Sequence, residues 1–208
     1  MRRLLIAGAG KAALACIEQL SKLKHHFLIT VLHAPGNTAA PEWDEARLTK
    51  TGIEIQSGVC VEAIDRYARV VRSCDGSRTT FDTLILAAGS ATPDLARAAG
   101  LEVRSGVLLN DYLQTSDAHV YALGEGAEHR GTVYNDPEML EEQARVLAAH
   151  VTGSHPPPFK GTLASEVLAL SSAVKACAAS PAVSAGSELR SGDQRLVPED
   201  QPVLAGAA

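Results

Sequence analysis

Two short glycine motifs carry the chemistry that is legible in this chain. The first, Gly8-Ala9-Gly10-Lys11-Ala12-Ala13, has the spacing of a dinucleotide fingerprint with Ala13 at the third small position. In such a motif Gly8 permits the tight turn out of a strand, Gly10 lets the backbone approach a pyrophosphate, and Ala13 keeps helix and strand close. The helix that follows then presents free amides and the positive end of its dipole to the phosphates. The second motif is the segment 115–125, in which the apolar run Val120-Tyr121-Ala122-Leu123 ends on Gly124-Glu125. A carboxylate there can accept hydrogen bonds from ligand hydroxyls, and the carboxyl ends of parallel strands are where open α/β sheets bind their ligands.

Both motifs need strands and helices to hold them. Residues 2–7 form a short apolar run read as a buried strand, and residues 12–20 read as the helix after it. A second parallel strand is expected over 27–32, and a third over 53–56, where apolar and polar residues alternate. Between them, residues 36–49 read as a loop with a helical piece at 43–48. Residues 70–72 and 79–81 flank a turn at 73–77 and predict a hairpin. Residues 84–89 read as another buried strand ending at Gly89, 91–100 as a connector with a helical turn, and 107–109 as a short strand. Residues 120–123 are expected to be the last strand of the domain, followed by an amphipathic helix over 137–151. The fold class is therefore α/β: a three-layer, Rossmann-like nucleotide-binding domain with a small antiparallel hairpin. From Ser154 three consecutive prolines and Ala/Ser/Gly-rich text predict a linker and a poorly ordered tail over 154–208, with a helix at 164–179.

Composition narrows the functional classes. The chain of 208 residues has room for one α/β domain and a tail. A net charge of -5 with no Lys/Arg block argues against nucleic acid as a partner. No apolar run reaches the roughly 20 residues of a membrane span. The N-terminal apolar run passes straight into the glycine turn, so it reads as a strand and not a signal peptide, and a cytoplasmic location is the default. Cys16, Cys60, Cys74 and Cys177 lack any Cys-x-x-Cys spacing, so four reduced thiols are expected and no metal site. His119, His129 and His150 read as structural, and no Ser/His/Asp grouping argues for hydrolysis.

The text of residues 5–20, 29–32, 51–66, 81–90 and 106–153 resembles the flavoprotein reductases related to glutathione reductase. It is most similar to the N-terminal flavin module of the large subunit of NAD(P)H-dependent nitrite reductase and to the rubredoxin reductases. A weaker echo continues at 159–163 and 184–189. The resemblance implies FAD as cofactor over residues 1–153, with Gly8, Gly10 and Ala13 at the pyrophosphate and the backbone near Val61 at the adenine. It also implies Ala88 and Gly89 at a turn beside the cofactor, and Gly124 and Glu125 at the ribityl and phosphate region. No catalytic side chain is required, because the isoalloxazine carries the electrons. A reduced nicotinamide or an electron-transfer partner protein is the implied partner, and homo-oligomerisation is left open.

Three departures qualify the expectation. The second strand should end in an acid that accepts hydrogen bonds from the adenosine ribose, yet His33-Ala34-Pro35 offers none; Glu42 and Asp44 are the nearest carboxylates. The segment that should follow that strand and line the flavin ring is shortened beyond recognition. Residues 87–94 read as one family strand joined to the sequel of another, so the nicotinamide domain is missing between Gly89 and Leu101. Two readings follow: an FAD-dependent oxidoreductase module, or a non-catalytic remnant or interaction module with the same fold. An NAD-binding Rossmann protein is disfavoured, since Gly124-Glu125 has no role in one.

Overall fold

A computed structural model describes residues 1–23, 27–35 and 40–161 of the chain. Its strands are β1 (Arg2–Ala7), β2 (Phe27–His33), β3 (Glu54–Ser57), β4 (Val61–Asp65), β5 (Val70–Ser73), β6 (Arg78–Thr80), β7 (Thr83–Leu86), β8 (Val107–Leu109), β9 (Val120–Ala122), β10 (Ala127–His129) and β11 (Thr132–Val133). The helices are α1 (Lys11–Lys22), α2 (Glu45–Lys50), α3 (Thr92–Ala98) and α4 (Pro137–Val151), with a single 3-10 turn at Gly89–Ala91. The helix expected at 164–179, the rest of the tail and Cys177 lie outside the described residues.

The central sheet has the order β3-β2-β1-β7-β9 and its strands run parallel. Strand side chains alternate between faces, and here both faces are covered. Leu4 and Ile6 of β1 join the core beneath α1 and α4, with Ala13, Ile17, Leu20, Ala144 and Leu147. Leu5 and Ala7 point the other way, into a core with Ile64 and Val71 of the antiparallel β4-β5-β6 sheet, Phe81 from the connection between β6 and β7, and Ala96 of α3. Burial on both sides is why β1 and β7 read as unbroken apolar runs. The three-layer α/β expectation is met. Among the described residues no helix is long and apolar enough to cross a membrane.

Three elements differ from the sequence reading. Strand 120–123 is not the last: β10 pairs with β8 and β11 in a separate small sheet. The polar pair Glu128 and His129 hid β10. Both are buried, and Glu128 accepts hydrogen bonds from the amides of Ser105 (2.8 Å) and Gly106 (3.2 Å). The hairpin has a further strand, β4, whose register shifts between Val61 and Ala63. Finally, Cys60 and Cys74 are joined in a disulfide, which corrects the expectation of four free thiols. The two cysteines extend the β4-β5 ladder one step beyond the Val61–Ser73 pair, and the Cys74 amide donates to the Cys60 carbonyl at 3.0 Å. Cross-strand placement, invisible in spacing alone, brings them together. Cys16 is free and wholly buried in α1, where desolvation pushes its thiol up to about 12.

Beyond α4, residues 153–158 are mostly exposed, and the chain is anchored again at Phe159. Phe159 is buried against His129 and Tyr134, and its amide donates to the Asp111 carbonyl at 2.8 Å.

Candidate functional site

The order of the central sheet places a topological switch between β1 and β7: α1 carries the chain from β1 to β2 on one side, and β9 extends the sheet on the other. At such a point the connections diverge and leave a crevice at the carboxyl ends of the strands. A cavity of about 580 Å³ lies there. Three strand ends converge on it, held in register by the amide of Gly8 on the Leu32 carbonyl (2.9 Å), Ala87 on Ala7 (2.8 Å) and Leu123 on Leu86 (3.1 Å).

Gly8, Gly10, Val61, Ala88, Gly89, Gly124 and Glu125 all line this cavity, although they come from widely separated parts of the chain. Ala13 does not. It is fully buried and packs α1 against the sheet, the spacing role that a small residue has at that position.

Backbone geometry accounts for the glycines. Gly8 has φ +125, and a Cβ there would run into the Ala87 carbonyl oxygen. Gly124 has φ +83, and a Cβ on it would stand 2.7 Å from the Cβ of Ala12. Its amide donates to Oε1 of the buried Gln143 at 2.9 Å, so α4 fixes the Gly124 turn. At Gly89, φ +60, an added Cβ would sit 2.5 Å from Oε1 of Glu125, which places that carboxylate directly over the β7 turn. Glu125 is exposed, whereas its neighbours Gly124 and Gly126 are buried.

Gly10 is the N-cap of α1, in extended conformation, and no side chain caps the helix. The first intrahelical bond is from the Leu14 amide to the Gly10 carbonyl. The amides of Lys11, Ala12 and Ala13 therefore lack the helical partners that later residues have. Open amides at a helix start, with glycine on the approach, make an anion cradle.

The remaining wall was not legible in the sequence. Lys11, Val59, Cys60, Ser90, Leu95, Asn135 and Leu140 also face the cavity. Ser90 and Leu95 arrive because β7 passes straight through the 3-10 turn into α3, over the stretch read as lacking a nicotinamide domain.

At the end of β2 it is Ala34 that lines the cavity; neither Glu42 nor Asp44 does. Asp44 instead caps α2, accepting from the Arg47 amide at 3.0 Å. The three histidines have structural partners: His119 with Arg69 at 2.8 Å, His129 with Asp111 at 2.9 Å, and His150 stacked on Tyr112. Among the described residues no group of acidic, His or Cys side chains could hold a metal ion.

Residues 1–149 match the model of the pyridine nucleotide-disulphide oxidoreductase family. The assimilatory nitrate reductase electron transfer subunit of Bacillus subtilis (strain 168) is 33% identical over 176 residues, which is 78% of this chain and 22% of that protein. The nitrite reductase [NAD(P)H] of the same organism is 39% identical over 102 residues, 49% of this chain and 13% of that protein. The chain thus spans under a quarter of the length of either relative. Among solved structures, NADH:rubredoxin oxidoreductase from Clostridium acetobutylicum superposes with a TM-score of 0.64 at 12% identity, covering 78% of each chain. At that identity the likeness is one of fold.

Proposed function

The chain belongs to the pyridine nucleotide-disulphide oxidoreductase family, and from that premise we propose that it is an FAD-binding electron-transfer domain that acts in the cytoplasm with a redox partner protein. The observation that carries the reading is the convergence of seven of the eight expected cofactor residues, Ala13 excepted, on one cavity at the switch point of the sheet. The donor set fits the group. A cradle that side chains at Gly8 and Gly124 would fill, open amides at the start of α1 and a carboxylate at Glu125 match a pyrophosphate joined to a polyhydroxyl chain.

In this reading Gly8, Gly10 and the first turn of α1 hold the pyrophosphate. Val61 and its neighbours on the disulfide-linked edge of β4 cover the adenine, and Glu125 accepts from ribityl hydroxyls. Bound FAD supplies reversible one- and two-electron chemistry. The protein would bind and orient the cofactor, with Ala88, Leu95 and Leu140 as apolar walls of the cavity that keep water out. The relatives, an assimilatory nitrate reductase electron transfer subunit and a nitrite reductase [NAD(P)H], support this class of chemistry.

Hydride transfer from a nicotinamide needs its ring held within about 3 to 3.5 Å of the flavin. The short Gly89-to-α3 connection supplies no domain to hold it. Electrons are therefore expected to reach or leave the site through a partner protein, or through another copy of this chain. The test is to load the purified chain with FAD, reduce it with dithionite and mix it with ferricyanide, then assay NADH and NADPH as donors. Rapid reoxidation by ferricyanide with only a slow, non-saturating rate from either nicotinamide is expected. Saturable NADH turnover at micromolar substrate would overturn the separation of functions. A second reading, a fold that no longer binds cofactor, is favoured by one observation: Ala34 in place of an acid at the end of β2.

A further inference from the structure

Among the described residues the cavity is lined by two ionisable side chains, Lys11 at the start of α1 and Glu125 after β9. The adenosine end of the cavity, set by the tip of β2, is lined by Leu32, Ala34, Val59, Cys60 and Val61, none of which can read a ribose hydroxyl with a carboxylate. Of the acids nearest in sequence, Glu42 does not line the cavity, Asp44 caps α2, and Glu45 accepts from Ser57 Oγ. The intervening residues 36–39 include no ionisable side chain.

At the phosphate end the reverse holds. Lys11 is the first residue of α1, is exposed, and lines the cavity. Among the described residues it forms no ion pair, and the first turn of α1 has no acid to neutralise it. A lysine at a helix start opposes the helix dipole and so contributes nothing to the stability of the helix. Beside open amides and a glycine approach, the same charge favours a ligand with two phosphate negative charges.

We propose that Lys11 takes over the recognition that a ribose carboxylate would otherwise provide. The site then selects adenine dinucleotides by pyrophosphate charge and ignores the ribose 2′ position. The proposal rests on the FAD-binding reading above and specifies how that site chooses its ligand. It makes affinity strongly dependent on salt, because an exposed cation is screened as ionic strength rises. It also makes the site tolerant of ribose variants.

The test is FAD titration by fluorescence quenching at low and high salt, for the wild type, Lys11→Met and Lys11→Arg. Competition by ADP, 2′-deoxy-ADP and 2′-phospho-ADP is measured alongside. Loss of Lys11 in the methionine variant is expected to weaken FAD by about five- to tenfold at low salt and to flatten the salt dependence, with arginine restoring both. ADP and 2′-deoxy-ADP are expected to compete equally in the wild type, with 2′-phospho-ADP not excluded. In Ala34→Glu, ADP should gain over 2′-deoxy-ADP and 2′-phospho-ADP should lose. Saturable FAD binding with unchanged affinity and salt slope in Lys11→Met would overturn the proposal while leaving the FAD reading intact. So would a wild type that prefers ADP to 2′-deoxy-ADP about tenfold. No FAD quenching by the wild type at any salt would overturn both.

Discussion

Gly8 is the residue on which the site turns most directly. Its φ of +125 is closed to L side chains, and an added Cβ would meet the carbonyl oxygen of Ala87, which is backbone and cannot swing aside. Gly8→Ala is therefore expected to lose FAD binding and to destabilise the fold by more than about 1 kcal/mol. Paired chemical denaturation and FAD titration check this, and an alanine variant with wild-type values for both would place the turn elsewhere. Gly89 differs in kind. What a Cβ would meet there is the far end of Glu125, a flexible side chain at the cavity edge, so the close approach at that position concerns the site more than the backbone. The sequence told these positions apart only as letters. That Gly8 faces backbone, Gly89 a carboxylate and Ala13 the core depends on which strands lie side by side, which no local spacing records.

At the scale of elements, long apolar runs were legible and short polar ones were not. β1, β2 and β7 are buried on both faces, so their composition alone marks them. β10 is three residues long with two polar side chains, and it exists because Glu128 finds the amides of Ser105 and Gly106 and His129 finds Asp111. The Cys60–Cys74 bond was missed for the same reason, since it follows from the β4-β5 pairing and not from cysteine spacing.

Asp111 fastens this part of the fold. Its side chain bridges Arg130 and His129, and its carbonyl accepts from Phe159. The hydrogen bonds from Arg130, then from His129, hold its carboxyl below the usual carboxylate range. A carboxyl depressed in the folded state stabilises the protein above its unfolded value, about 3.9, and loses that contribution as pH falls through the folded value. Asp111→Asn is thus expected to be less stable than wild type at neutral pH, with the difference shrinking below about pH 4. Urea denaturation at several pH values reads it, and a gap independent of pH would show that the pair contributes by packing alone.

On the scale of the whole molecule, the described residues include one α/β unit in which β7 leads through one turn into α3, with no second domain between Gly89 and α3. α3 packs Ala96 into the core shared with β4-β5-β6, so the shortened connection closes the sheet on its own. The fold class and the place of the cavity were legible, because a strand, a fingerprint and a helix in that order demand a switch-point crevice. The lining supplied by Ser90, Leu95 and Asn135 was not, because it comes from connections whose paths only packing decides. The proposed electron-transfer role requires FAD to occupy that cavity. The most direct measurement is equilibrium titration of the purified full chain with FAD, followed by flavin fluorescence and by the visible absorption of protein recovered after gel filtration. Saturation at one FAD per chain and a yellow protein that retains flavin through the column are expected. A colourless protein whose addition leaves FAD fluorescence unchanged up to millimolar concentrations would contradict that role.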